Sequence, residues 1–497
     1  TVDGGRWTVD GGRWTVDGGR WTVDGGAHSS WKLTESIYSM SATTAEVVIC
    51  GAGIAGIAAA HALALGHGVR DVLLVERGDP LALTSDKSTE AYRDWWPDPA
   101  MVQLMGRSID MLEAIAHATD NAILLNRRGY LYATADAAAL SAFRAGAEAI
   151  AAAGAGPLRL HGVGEAGPAY QPAPAHGFAG LPRGADLLLN QALIRAQFPY
   201  LTERTLAVLH ARRAGWFSAW QLGAHLLEEA RAHGVRLLRG ELTSVETAGG
   251  RVRGVEVATE SGTRRISTPT FVSAAGPLQA QVGQLLGLEL PLFNELHLKA
   301  AISDPLGVVP RDAPLLIWND PVALAWSTAE RAELADDPAL RWLLNPLPGG
   351  VHGRPEGSGG ASTLLLLWDY HTQPVAPHFP IASDPQLVEL ALRGMATMLP
   401  DLSAYVERVP QGFIDGGYYT RTRENRPLIG PLPVGGAYIS GGYSGFGLMA
   451  ACAAGELLAA HIAGAALPAY APAFALARYE DPAYVAALAG WGGDGQL

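Results

Sequence analysis

An α/β fold of two interleaved parts is predicted by three features of the sequence. A strand–turn–helix–strand unit opens at Glu46, with glycines at its first turn. A second glycine-rich turn opens an Ala-rich helix near the C-terminus. Strand-sized apolar runs fill the chain between them. The expected architecture is a Rossmann-type dinucleotide-binding domain with a parallel sheet, interleaved with an α+β substrate domain containing a large mixed or antiparallel sheet. At 497 residues the chain is longer than one ordinary core fills, which also asks for two parts.

The first unit begins with EVVIC at Glu46–Cys50, a short β-rich run, and continues through glycines into an apolar helix ending near Leu65. DVLLVER then supplies a second buried strand, so the sheet begins as a parallel βαβ unit. Helical AALSAFRAGAEAIAAAG and a Pro/Gly-rich stretch reaching Gly180 mark an excursion into the second part. Ser218 to His233 reads as an amphipathic helix. It is followed by strand runs VRLLRG, TSVETAGG, RVRGVEVAT and RRISTPTFVSAAG. PLLIW and STLLLLWDY, on either side of a Pro/Gly-rich loop at Leu347 to Gly360, belong to the substrate domain. The division is 45–125, 205–289 and 410–467 for the nucleotide domain and 126–204 and 290–409 for the substrate domain, with 468–497 as a tail. Residues 1–39 are a repeat extension. There TVDGGRW recurs three times, and two glycines in every seven residues oppose helix and predict disorder, with Met40 as a natural alternative initiator.

Composition narrows the function. Hydrophobic residues at 48% and charged residues at 17% describe a globular protein. A net charge of −12 without any basic block argues against nucleic acid as a partner. Cys50 and Cys452 form neither a disulfide framework nor a CxxC pair, which suits a reducing, cytoplasmic location and no metal site. The apolar stretch Phe446 to Leu467 is broken by Glu456 and His461 and reads as a buried helix; no transmembrane segment is expected, and no signal peptide is recognisable.

Gly51, Gly53 and Gly56 spell G-x-G-x-x-G between strand and helix, with Ile54 and Ala55 inside the motif. Glycines permit the tight turn and the close approach of a pyrophosphate, while the helix N-terminus supplies N–H donors and positive dipole. Glu76 ends the second strand where a carboxylate can accept hydrogen bonds from an adenosine ribose, and Arg77 follows it. This geometry does not separate NAD from FAD. Later segments do: SAAGP, with Ala275 and Gly276, follows a strand, and the turn after Ala437 opens a second helix onto the cofactor, which a simple NAD enzyme does not need.

VVICGAGIAGIAAAHAL, LLVER, FPYL, AGWFSAWQL, VSAAGP, GGYYTRTRENRPLIG and SGGYSGFGLMAA, in this order, resemble the D-amino acid oxidase superfamily of FAD-dependent oxidoreductases from Met40 to the end. Glycine oxidase, monomeric sarcosine oxidase, dimethylglycine dehydrogenase and amino-acid dehydrogenases belong to it. The resemblance implies that Gly442, Ser444, Gly445, Phe446, Gly447 and Leu448 meet the flavin, with a helix N-terminus aimed at its C2 carbonyl. Ser88 and Thr89, in the loop from Thr84 to Trp96, would bond the ring, and Val245 completes the cofactor set. Gly417 stands where sarcosine oxidase has its flavin-linking cysteine, and the Thr84–Trp96 loop has no histidine. FAD is therefore expected to be held without a covalent bond. Glu424 occupies a position usually held by aspartate.

Tyr419 matches a substrate-facing position of the family, whereas Met449 replaces a carboxylate-binding lysine. Arg93, Arg421 and Arg423 are candidate anchors for a substrate carboxylate, with Arg421 favoured by strand alternation beside Tyr419. His297 on ELHLK is a further catalytic candidate beside the reading of a packing residue. Trp318, Trp326 and Trp368 are candidates for the pocket wall or for the core, and HGRPEG at His352 for a lid or a plain loop. The reaction implied is oxidation of the C–N bond of a small amine or amino acid by hydride transfer to flavin N5, giving an imine that hydrolyses. O2, a quinone or an electron-transfer protein would be the electron acceptor. An FAD enzyme acting on a C–OH bond and a non-catalytic FAD-containing assembly factor stay open as alternatives.

Overall fold

The computed structural model describes residues 43–162, 169–357, 360–370 and 372–488, together with three short stretches of the N-terminal repeat. Two large sheets organise the chain. In the first, strands Arg236–Arg239, Val72–Glu76, Val47–Cys50, Thr270–Ser273 and Ala437–Gly441 run parallel in that order, and Leu428–Pro431 closes the edge antiparallel. These strands are buried on both faces, which is why they read as continuous apolar runs rather than alternating ones.

One face carries the helices Ile54–His61 and Gly447–Ala463, and their contact explains the small-residue composition of both. A Cβ on Gly455 would lie 2.5 Å from the Ala58 carbonyl oxygen, so only glycine allows these helices to meet this closely. The helix Ala219–Ala232 packs beside them, started by Ser218, whose hydroxyl accepts from the Gln221 amide. A three-stranded meander over Glu241–Ala248, Arg251–Thr259 and Gly262–Ser267 covers the other side.

The second sheet has ten strands and is mixed. Its order is Tyr443–Ser444, Phe413–Arg421, Phe293–Ser303, Thr363–Leu367, Val351–Pro355, Leu315–Trp318, Tyr130–Thr134, Ala207–Ala211, Ala185–Leu188 and Leu158–His161. Leu315–Trp318 pairs parallel with Tyr130–Thr134, and Leu158–His161 with Ala185–Leu188; the other neighbours are antiparallel.

Several boundaries differ from those expected. Ala207–Ala211 and Phe413–Arg421 belong to the large sheet rather than to the nucleotide domain. Both lie where the chain crosses between the parts, and strand propensity is blind to which sheet a strand joins. Val351–Pro355, inside the expected Pro/Gly-rich loop, is a strand between two β-rich partners. Trp318 and Trp368 fill the substrate-domain core, and Trp326 packs on that core beneath Arg393, whose guanidinium lies 4.1 Å from its ring centroid.

Residues 471–488 are docked rather than trailing. The Arg478 guanidinium donates to Glu424 Oε1 at 2.7 and 3.0 Å, and the hydroxyls of Tyr479 and Tyr484 donate to the same oxygen at 2.7 and 2.9 Å. The Glu424 side chain is fully buried and depends on these partners.

The repeat extension, expected to be disordered, shows short strands at Trp7–Val9, Gly12–Asp17 and Arg20–Asp24 that pair antiparallel. The closing pairs are Val9↔Gly12 and Asp17↔Arg20. Met40 lies outside the described residues.

Candidate active site

A continuous cleft runs from the first glycine turn to the face of the large sheet. Its near end is built by the turn after Val47–Cys50. Gly51 has φ +107°, and a Cβ there would lie 2.4 Å from the Ala274 carbonyl oxygen; a Cβ on Gly56 would lie 2.0 Å from the Gly51 oxygen. Those two glycines make the turn. Gly53 is different: the nearest atom to a Cβ there is the Ser85 hydroxyl at 3.3 Å, so its backbone faces the cleft. The first-turn amides of the helix have no intrahelical acceptors. Ser85 Oγ accepts from the Ile54 amide at 3.0 Å, the kind of donor that a phosphate oxygen takes in such a turn.

Glu76 lines the cleft and braces the turn, accepting from the Ala52 amide at 2.9 Å and the Gly78 amide at 2.8 Å. Arg77 lies at the rim, about half exposed and 3.6 Å from Glu241. Glu241 and Leu242 line the wall, whereas Val245 is packed into the core between the meander and the parallel sheet. Cys50 also reaches the wall. Burial, reinforced by Glu76 and Glu241, pushes its thiol up to about 12, so it is no nucleophile.

The middle of the cleft is walled by Ala275 and Gly276 on one side and by Ser88 and Thr89 on the other. The C-terminal turn supplies Gly442, Ser444, Gly445, Gly447 and Leu448, and Phe446 turns away to pack on Trp96, 5.1 Å between ring centroids. Gly442 and Ser444 both have positive φ, +72° and +50°, which bends the chain before the helix Gly447–Ala463. Ser444 Oγ is buried without a protein partner on this wall, as expected of a hydroxyl that bonds a bound group.

Beyond this turn the large sheet carries a compact charged group. Register places Glu295 opposite Tyr419, His297 opposite Gly417 and Phe293 opposite Arg421, so the side chains of Glu295, His297, Tyr419 and Arg421 share one face. Tyr419 stacks on His297 at 3.7 Å between centroids and 13° between planes. Its ring fills the space a Gly445 Cβ would need, 2.4 Å away. His297 Nδ1 lies 2.7 Å from Asp369 and Nε2 lies 3.4 Å from Glu295. Burial opposes charge on His297, but Asp369 and then Glu295 overcome it and raise its pKa to about 9. Burial likewise disfavours charge on both carboxylates, yet His297, with Arg421 at Glu295, holds them below their ordinary range.

The predicted anchors are placed differently. Arg421 Nη1 donates to Glu295 at 3.0 Å and does not line the cleft. Arg93 is buried with its guanidinium 4.2 Å from the Trp96 centroid and 5.6 Å from that of Tyr130. Arg423 is exposed in a turn beyond the strand, because alternation ends with the strand at Arg421. Among the described residues around Tyr419, His297, Lys299 and Lys87 line the cleft, Lys87 being paired with Asp86 and Asp415. Met449 is buried in the helix core.

Glu295, Lys299 and Asp369 are the residues that sequence reasoning missed. A signal for two of them existed: ELHLK places Glu295, His297 and Lys299 at alternate positions of one strand. His352 is half-buried, its Nδ1 2.8 Å from the Gly350 carbonyl oxygen, and burial lowers its pKa.

A glycine turn on a parallel sheet, a carboxylate at the end of the neighbouring strand and a second glycine turn facing the substrate sheet define a dinucleotide-binding oxidoreductase. The chain belongs to the FAD-dependent oxidoreductase family (DAO), whose model matches residues 46–461, and FAD is its cofactor.

Solved structures with the same fold include L-proline dehydrogenase from P. horikoshii, at 18% identity and a TM-score of 0.65 over 88% of this chain and 98% of that one. Glycine oxidase from Geobacillus kaustophilus matches at 17% identity and a TM-score of 0.65, over 87% and 98%. Iminodiacetate oxidase from Chelativorans sp. BNC1 matches at 18% and 0.62, over 86% and 98%. No curated protein sequence matched. Among the described residues no helix is long and apolar enough to cross a membrane, and no cluster of ligating side chains could hold a metal ion.

Proposed function

We propose that this protein oxidises the C–N bond of a small amine or amino acid. The observation that carries the proposal is the Tyr419–His297 stack at the inner end of the cleft, with the carboxylates of half-buried Asp369 and buried Glu295. FAD, held without a covalent bond by the Gly51–Gly56 turn, Glu76, the Ala275–Gly276 turn and the 442–448 turn, supplies a two-electron acceptor for hydride.

This chain's residues supply orientation and a dry, charge-compensated pocket. His297, kept protonated by Asp369 at Nδ1 and Glu295 at Nε2, spends both N–H groups on those carboxylates, and its ring with the stacked Tyr419 ring forms an aromatic wall against which the substrate packs. A protonated His297 cannot be the base that removes the amine proton, so the neutral amine enters from solution. The helix Gly447–Ala463 aims its N-terminus at the cleft and stabilises negative charge building there. Small amines and amino acids are the substrates of the structural neighbours as their names state them: proline, glycine and iminodiacetate.

Product identification tests the proposal. Turnover of an amino acid should release ammonia with its 2-oxo acid, and an N-methyl amine should release formaldehyde. Oxidation confined to hydroxy acids would overturn it.

A further inference from the structure

We propose that Lys299 and Arg354 are positioning residues that hold the Ser88–Thr89 wall of the cleft by donating to its two consecutive main-chain carbonyls. Lys299, on Phe293–Ser303, donates from Nζ to the Ser88 oxygen at 2.7 Å. Arg354, on Val351–Pro355, donates to the Thr89 oxygen from Nη2 at 2.8 Å and from Nε at 3.2 Å. Both cations stand on the large sheet. The carbonyls belong to the segment that leaves the parallel sheet after Glu76.

The backbone there needs such an arrangement. Successive carbonyls of an extended strand point to opposite sides. Two that are both taken by one neighbouring sheet require a chain turned out of that pattern, and both residues are half-buried. The next residue, Glu90, has φ +61°, a conformation disfavoured for a residue with a Cβ, and it is over-determined by its surroundings. Its Oε1 accepts from the Ala219 amide at 2.8 Å, its own amide donates to Ser88 Oγ at 2.9 Å, and its Oε2 lies 3.6 Å from Arg354.

Arg354 is 1% exposed, sits 4.8 Å from the Trp216 centroid and pairs with Glu356 at 2.5 Å. A fully buried guanidinium that spends two of its N–H groups on one carbonyl, with its charge answered by Glu356, is built to fix that carbonyl. Lys299 does the same for its neighbour from a strand that also presents His297. The two bonds thereby set the distance between the cofactor half and the substrate sheet at the wall where Ser88 and Thr89 face the cleft. The inference rests on this cleft being the flavin site and is independent of the substrate's identity.

The test is amide hydrogen exchange on the full chain purified with FAD, comparing wild type with Lys299→Met, Lys299→Arg and Arg354→Met at matched FAD occupancy. Lys299→Met should speed exchange over residues 84–90 by about tenfold or more, leave the Gly51–Gly56 turn unchanged, and shift the visible absorption bands of the flavin. Lys299→Arg should restore slow exchange by keeping a donor. If Arg354→Met fails to fold, the partly buried Lys299 position decides the matter alone. Unchanged exchange over 84–90 in Lys299→Met overturns the proposal, and so does acceleration spread evenly over the large sheet.

Discussion

Replacing His297 with glutamine tests whether the charged group beneath Tyr419 is assembled as described. Burial disfavours the imidazolium, yet Asp369 at 2.7 Å and Glu295 at 3.4 Å bring the folded-state pKa from 6.5 to about 9. A pKa raised in the folded state adds stability that is complete below the unfolded value and is lost as pH rises through the folded one. The window therefore runs from 6.5 to about 9, and its width corresponds to roughly 3 kcal/mol. The low values of Asp369 and Glu295 express the same interaction and are counted once.

His297→Gln keeps a hydrogen-bonding side chain and removes the titration. Denaturant unfolding at constant saturating FAD, for both proteins at about pH 6 and about pH 10, gives the two stability gaps. The gap between wild type and variant should be larger at the lower pH by an amount on the order of 3 kcal/mol. A gap that stays constant, or grows toward alkaline pH, refutes a protonated His297.

Arg421→Met should destabilise the protein by roughly 3 to 5 kcal/mol, because it strands the buried Glu295 carboxylate; the midpoint of denaturant unfolding checks this. A variant of unchanged stability with weakened amino-acid binding would return Arg421 to the role of substrate clamp. Glu424→Ala should cost a similar roughly 3 to 5 kcal/mol by leaving buried Arg478 unpaired, and limited proteolysis should then cut residues 471–488; resistance to cleavage would show that the docking does not depend on this pair. Glu76→Ala should weaken FAD retention by roughly 1.5 to 3 kcal/mol, the worth of a charge-assisted hydrogen bond, and FAD titration of the apoprotein measures it; unchanged affinity would place Glu76 outside the cofactor contacts.

The nucleotide half was readable because its signals are local. Gly51, Gly53 and Gly56 lie within six residues, and the steric reasons for Gly51 and Gly56 are fixed by the oxygens of Ala274, just past the adjacent strand, and of Gly51. The substrate half was readable only as strands. His297 and Asp369 are 72 positions apart and Glu295 and Arg421 are 126 apart, and only the strand order of the ten-stranded sheet makes them neighbours. Alternation in YYTRTRE correctly set Tyr419 and Arg421 on one face. It could not say that Glu295 would claim the guanidinium, nor that the strand would stop before Arg423. Clamps such as Lys299 on Ser88 are invisible to pattern because their acceptors are main-chain carbonyls, which every residue carries.

Anaerobic reduction of the purified flavoprotein tests the central claim most directly. FAD should bleach rapidly with at least one small amino acid or N-alkyl amine and should not bleach with the corresponding hydroxy acids. Denaturation should then release the FAD intact. A protein that carries FAD yet is bleached by hydroxy acids alone, or by none of these compounds, contradicts oxidation of a C–N bond.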